Sequence, residues 1–178
     1  IAHEEVPVDV ANGAHKSSEF LAMNPNGQVP VLQDGDVTVS DSNAILVYLA
    51  RTYAPDWMPS TPIDEANVQR WLTLAAGEVA FGSCAARLIT VFGAPLDVDF
   101  ADATATKAMQ NLEHGLEGRD WLVGDRPTIA DVANYSYTAH APEGNVSLDP
   151  YPNVRAWLAR FEALPGFQAM PATAVGLA

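Results

Sequence analysis

Every strand-like stretch of this chain lies before residue 54, and everything beyond it reads as helix. Between the two runs lies a stretch carrying Pro55, Pro59 and Pro62. Proline fixes φ and removes a backbone donor, so such a stretch ends whatever precedes it. The partition limits the fold class to a small α/β piece followed by an all-α piece. It predicts a first domain over 1–54, a linker over 55–61 and a helical domain over 62–178.

In the first piece, Val6-Pro7-Val8-Asp9-Val10 alternates like a strand and is broken by Asn12-Gly13. A short helix is predicted from His15 to Met23, with Ser17 as its cap, ended by Asn24-Pro25-Asn26-Gly27. Val29 to Leu32 reads as a strand, Asp34-Gly35 as a hairpin turn and Val37 to Val39 as the returning strand. Asp41 or Ser42 then caps a helix carrying Ile45, Leu46, Tyr48, Leu49 and Tyr53.

The second piece opens with Thr61-Pro62-Ile63-Asp64, a cap, a proline at the first helical position and an acidic first turn. That helix is predicted to run to about Val91, with Val68, Trp71, Leu72, Ala75, Val79 and Ala86 as apolar positions. Gly77 and Gly82 inside it are expected to mark close helix contacts. Further helices are predicted from Val98 to Leu116, from Thr128 and from Pro152. Thr128-Ile129-Ala130-Asp131 has the form of a capping box with Asp in the acidic position, a structural signal. The Ala-rich last residues are expected to fray.

The chain has 178 residues with 9 Lys+Arg against 22 Asp+Glu, a net charge of −13. Phosphate backbones and anionic membranes both need Lys and Arg, so nucleic acid and membrane surfaces are excluded as partners. No run of apolar residues in the sequence approaches the ~20 of a membrane span. A single cysteine, Cys84, rules out an intrachain disulfide and suits a reducing, cytoplasmic setting.

Three segments carry candidate chemistry. Pro30 opens a strand, and a cis Val29-Pro30 bond would turn the Val29 N–H and C=O outward to pair with an extended peptide; a plain loop entering a strand is the alternative. Asp41-Ser42 at a helix start either caps the helix or clamps an amino-acid head group. In the second case the carboxylate would take the ammonium, and the helix N–H groups the ligand carboxylate. His15-Lys16 either meets a carboxylate or is a solvated basic pair.

Asn24-Pro25-Asn26-Gly27-Gln28-Val29-Pro30-Val31-Leu32, followed by Asp41-Ser42-Asn43-Ala44-Ile45, resembles the glutathione-site signature of the glutathione transferases. The helical part matches through Trp121-Leu122-Val123-Gly124, Arg126 to Val132 and Tyr151 to Leu158. The resemblance covers nearly all of the chain, and its wording looks like that of bacterial members akin to the phi and theta classes. It implies a thioredoxin-like first domain, incomplete at its start, and an all-helical second domain. The implied activity is attack of the glutathione thiolate on a small hydrophobic electrophile in an apolar pocket between the domains. Other glutathione chemistry or a non-catalytic glutathione-binding scaffold are the alternatives. Glutathione is the implied co-substrate, with no metal, in a homodimer serving detoxification.

Carried over by position, Val29 would pair its backbone with the cysteinyl part, Pro30 would be the cis proline and Gln28 would help hold the peptide. Asp41 and Ser42 would take the γ-glutamyl ammonium and carboxylate, and His15 and Lys16 the glycyl carboxylate. Asp41 is Glu in many relatives, which shortens the reach. Trp71, Val79, Tyr135 and Tyr137 are candidates for the electrophile pocket or the subunit contact, with core packing the alternative for each. The resemblance also implies a leading strand and helix of about 20–30 residues ahead of Ile1, holding the catalytic Ser, Cys or Tyr. Cys84 is read as an inert thiol.

Overall fold

The computed structural model describes residues 1–177. Its backbone divides into two compact units, Ile1–Pro55 and a second that starts at Asp56.

The first unit centres on one hairpin. Strand β1 (Val31–Asp34) pairs antiparallel with β2 (Val37–Ser40), in register from Val31 opposite Ser40 to Asp34 opposite Val37. The loop is Gly35-Asp36, one residue later than the sequence suggests. Gly35 takes the positive φ of +57° that a two-residue hairpin loop needs at its first position. Val6–Val10 is not a strand. A strand exists only where a neighbour completes its ladder, and β1 and β2 pair only with each other among the described residues.

The helix expected from His15 is split. Ala14–Lys16 forms a 3-10 turn, and α1 (Ser18–Met23) starts afresh because Ser17 takes the extended backbone of a cap. Its hydroxyl oxygen accepts from Phe20 N–H at 3.2 Å. Helix α2 (Ser42–Tyr53) is tied to the loop end of the hairpin, where the Tyr48 and Tyr53 hydroxyls both donate to Asp34.

In the second unit, Pro62–Phe92 is one continuous helical stretch of three parts. Helix α3 (Pro62–Leu74) leads into a π-helical segment (Ala75–Cys84), which leads into α4 (Ala85–Phe92). The 3.6-residue spacing predicts a single regular helix, and the wider middle segment breaks that period. Gly82 lies directly on the backbone of α5 (Val98–Gly115), where a Cβ would collide with Ala105 N; Gly77 has nothing within 4 Å, so only one of the two glycines marks a close contact. By length and composition this stretch could cross a membrane, beyond what the sequence suggests. Its buried Val68, Trp71, Leu72 and Val79 make it the core helix of this unit.

Helices α6 (Ile129–Ala139) and α7 (Pro152–Glu162) complete the bundle. The capping box forms: Thr128 Oγ1 accepts from Ala130 N–H at 3.2 Å, and Asp131 Oδ2 accepts from Thr128 N–H at 2.8 Å. Asp131, 0 % exposed, does more than close a helix end. Its Oδ1 also accepts from Leu122 N–H at 3.0 Å and from Trp157 Nε1 at 2.9 Å. Burial pushes the Asp131 carboxyl up from the usual range, against the lowering effect of its donors on Leu122, Thr128 and Trp157. Trp71 donates from Nε1 to Leu122 O at 3.1 Å, so the 116–128 connection is pinned from both sides of Leu122. Helix α7 lacks a cap of its own; Glu113 of α5 supplies one, accepting from the N–H groups of Asn153 and Val154.

Residues 168–177, expected to fray, are bonded to the rest of the unit, and Ala178 lies outside the described residues. Thr173 is bonded to Glu143, and Leu177 N–H donates to Pro142 O.

Both buried carboxylates can be tested by substitution. Asp131→Asn turns an amide NH2 toward groups that can only donate, and is expected to lower unfolding free energy by about 1–3 kcal/mol in urea titration. For Glu143, burial raises the carboxyl, but bonds from His140, Thr173 and Arg87 outweigh it and hold it down at about 2. Its contribution is present in full above the unfolded value near 4.5 and is lost as pH falls toward 2. The stability gap between wild type and Glu143→Gln should therefore close over that window in urea titrations at stepped pH.

Candidate functional site

The hairpin register brings two of the three candidate segments together. Because Val31 faces Ser40, the residues just outside the ladder, Pro30 and Asp41, emerge at the same end of the hairpin, away from the Gly35-Asp36 loop. The Val29-Pro30 peptide bond is cis. Val29 is 49 % exposed, and its N–H and C=O take no backbone partner among the described residues. An extended ligand backbone can therefore pair there as a further strand would.

Asp41 sits opposite with φ +80° and ψ 126°, outside the regions a side chain favours. Its Oδ1 accepts from Ala44 N–H at 2.9 Å, the capping bond of α2. The carboxylate is exposed, and one oxygen can cap the helix while the other meets a ligand ammonium. Exposed Ser42 is the first residue of α2, where backbone N–H groups and the helix dipole favour an anion. The two readings of Asp41-Ser42 are thus compatible: the residue caps and still presents charge.

The third segment reaches the same loop from the other side. Lys16 Nζ donates to the carbonyls of Asn26 (3.4 Å) and Gly27 (3.2 Å), leaving one of its three donors for a ligand. His15 is half-buried, and its Nδ1 is enclosed without a hydrogen-bond partner among the described residues. Gly27 takes φ +58° against this turn, where a Cβ would stand 2.7 Å from Lys16 Nζ and 2.9 Å from His15 O. Gln28 is exposed, and its carbonyl is held by the loop.

The residue that builds this loop, Asn24, is one that sequence reasoning does not single out. It is 3 % exposed; its Oδ1 accepts from Asn26 N–H at 3.1 Å and its Nδ2 donates to Gln28 O at 2.7 Å. Asn before Pro is a turn-initiating pair, and that is the available signal.

The other candidates separate. Trp71 and Val79 are each 1 % exposed and Tyr135 is 6 % exposed. These three are core, not pocket or subunit contact, because Trp71 and Tyr135 also spend their polar atoms inside the unit, on Leu122 O and Glu162. Tyr137 is 38 % exposed and hydrogen-bonded to the half-buried Cys84. Burial pushes the Cys84 thiol up, which keeps it protonated and slows its attack as a nucleophile.

Two family models match this chain: "Glutathione S-transferase, N-terminal domain" over residues 1–51 and "Glutathione S-transferase, C-terminal domain" over residues 96–165. A probable glutathione S-transferase of Oryza sativa subsp. japonica is 35% identical, covering 93% of this chain and 82% of that protein. Glutathione S-transferase 3 of Zea mays is 34% identical over 93% of this chain and 80% of that protein. Among solved structures, a glutathione S-transferase from Pseudomonas fluorescens superposes with TM-score 0.83 at 32% identity, covering 89% of this chain and 81% of that one. A glutathione transferase homolog from Drosophila mojavensis with bound glutathione gives 0.80 at 29% identity, over 89% and 75%.

If Asn24 sets the loop, Asn24→Ala should cost about 1–3 kcal/mol in urea unfolding, because it leaves Asn26 N–H and Gln28 O without their partner. Faster hydrogen exchange at Asn26 is the local readout.

Proposed function

The chain belongs to the glutathione S-transferase family, with its thioredoxin-like first domain and helical second domain, and from that premise we propose how it holds glutathione. The cysteinyl backbone pairs with the exposed Val29 N–H and C=O beside the cis Pro30. The γ-glutamyl ammonium meets the Asp41 carboxylate, and its carboxylate meets Ser42 at the start of α2. Gln28 steadies the peptide, and the free donor of Lys16, with His15, takes the glycyl carboxylate.

The observation that carries this reading is the hairpin register. It sets a peptide-pairing edge and an acidic helix start at one end of the same two strands. Members of the family are enzymes that use glutathione as a substrate. We read this one as joining the thiolate to a small hydrophobic electrophile, so that a carbon–sulfur bond forms and the leaving group departs. None of the described residues is assigned the role of stabilising that thiolate: Ser17 is engaged as a cap and Cys84 is held protonated. A cytoplasmic setting, a homodimer and a detoxifying role akin to bacterial members belong to the same proposal. The single cysteine suits the cytoplasmic setting, and the likeness to the Pseudomonas fluorescens structure suits the bacterial one.

Calorimetric titration with glutathione should give saturable binding, and an absence of heat at millimolar glutathione would sink the assignment. Asp41→Asn preserves the helix cap and removes the charge. It should weaken binding by about 10-fold or more, the worth of a charge-assisted hydrogen bond, with little change in the urea midpoint. Unchanged affinity in that variant would remove Asp41 from the site. Conjugation of a model aryl halide, followed by absorbance, tests the reaction itself.

A further inference from the structure

Residues 168–177 contain no charged side chain and form no helix or strand, yet they are fixed at three points. Thr173 donates its N–H to Glu143 Oε1 at 3.2 Å and its hydroxyl to Glu143 Oε2 at 2.7 Å. Leu177 N–H donates to Pro142 O at 2.9 Å. Gly176, at φ +73°, lies so close to the 3-10 turn Ala141–Gly144 that a Cβ there would collide with Pro142 O. The same turn meets α4 closely as well, since a Cβ on Gly144 would stand 2.6 Å from Arg87 N.

Glu143, 2 % exposed, joins these layers. Besides the two bonds from Thr173, its Oε2 accepts from Arg87 Nε of α4 at 2.8 Å, and its Oε1 lies 2.5 Å from His140 Nδ1. A carboxylate this deeply enclosed is tolerated only while its donors are in place. If Thr173 leaves, two donors leave at once, and the charge must be solvated or its partners must shift.

We propose that residues 168–177 form a latched strap. It docks and releases as one unit on Glu143, and its release loosens α4 at Arg87. Cys84 reports on that end of the helix: it lies three residues before Arg87, and its thiol is hydrogen-bonded to Tyr137.

The test uses the full chain with two substitutions. Thr173→Val deletes the hydroxyl bond, and Gly176→Ala blocks close approach by driving a Cβ against the backbone of Pro142 and Glu143, leaving the Thr173 side chain as it is. Two readouts are compared with wild type. One is native-state hydrogen exchange at the backbone amides of positions 173 and 177, corrected for intrinsic rates. The other is labelling of Cys84 by an aromatic disulfide. Each variant should speed exchange at both amides together by about tenfold or more, the worth of a hydrogen bond to a charged group. Cys84 labelling should accelerate in parallel, and exchange at both amides should stay nearly independent of urea at low concentrations, as an opening short of global unfolding requires. Faster exchange at one amide alone, or Cys84 labelling at the wild-type rate, overturns the proposal. So does exchange at these amides with the same urea dependence as the core amides, because the segment would then be an inseparable part of the global fold.

Discussion

One buried carboxylate organises the helical unit. Asp131 receives donors from the connection before α6, from its cap and from α7. Three pieces of chain, the last of them 26 residues away, thus depend on the placement of two oxygen atoms. The energetic logic is that of mutual obligation: the charge could not be enclosed without the donors, and Leu122 N–H and Trp157 Nε1 could not be enclosed without the charge. That unit contains Trp71, whose ring fills the space a Cβ on Gly115 would take. Polar satisfaction and close packing therefore fix the same geometry.

The first unit is organised differently, by register instead of by a buried group. Its strands are only four residues long, and a slip by one residue would turn every side chain to the opposite face. The Asp34 carboxylate, taken by both Tyr48 and Tyr53, resists such a slip by holding α2 to the loop end. These tyrosines hold the Asp34 carboxyl below its usual range, Tyr53 contributing most. The candidate site at the opposite end is thereby specified by residues that do not line it.

What can be read from the residues alone divides along the range of the forces involved. The hairpin, the caps at Ser17, Thr61 and Thr128, and the segment around Pro30 are local, and a few neighbouring residues encode each. The strand expected at Val6–Val10 is absent because alternation gives a strand its pattern but not its partner. The π-helical segment escapes sequence reading because its apolar residues keep an ordinary helical spacing; it lies where α5 meets the backbone at Gly82. For Trp71 the residues alone leave pocket, subunit contact and core open, because its partner, Leu122, is far away along the chain. The strap at 168–177 reads as frayed for the same reason: its composition is bland, and its anchor, Glu143, belongs to another segment. For the candidate site, the residue types are legible, while the role of Asn24 emerges only from its two hydrogen bonds.

On the proposed reading of Asp41 as the partner of the ligand ammonium, its positive φ sets stability and recognition against each other at a single codon. Glycine at this position would relax a backbone conformation worth about 1–3 kcal/mol of strain, and as a helix cap it would lose only about a few tenths of a kcal/mol. A laboratory selection that rewarded heat tolerance alone would therefore drift toward glycine here. The survivors would be hardier proteins lacking the carboxylate at the mouth of the hairpin. Whether position 41 holds its acid or turns to glycine in such a selection would then separate the demands of folding from those of the proposed site.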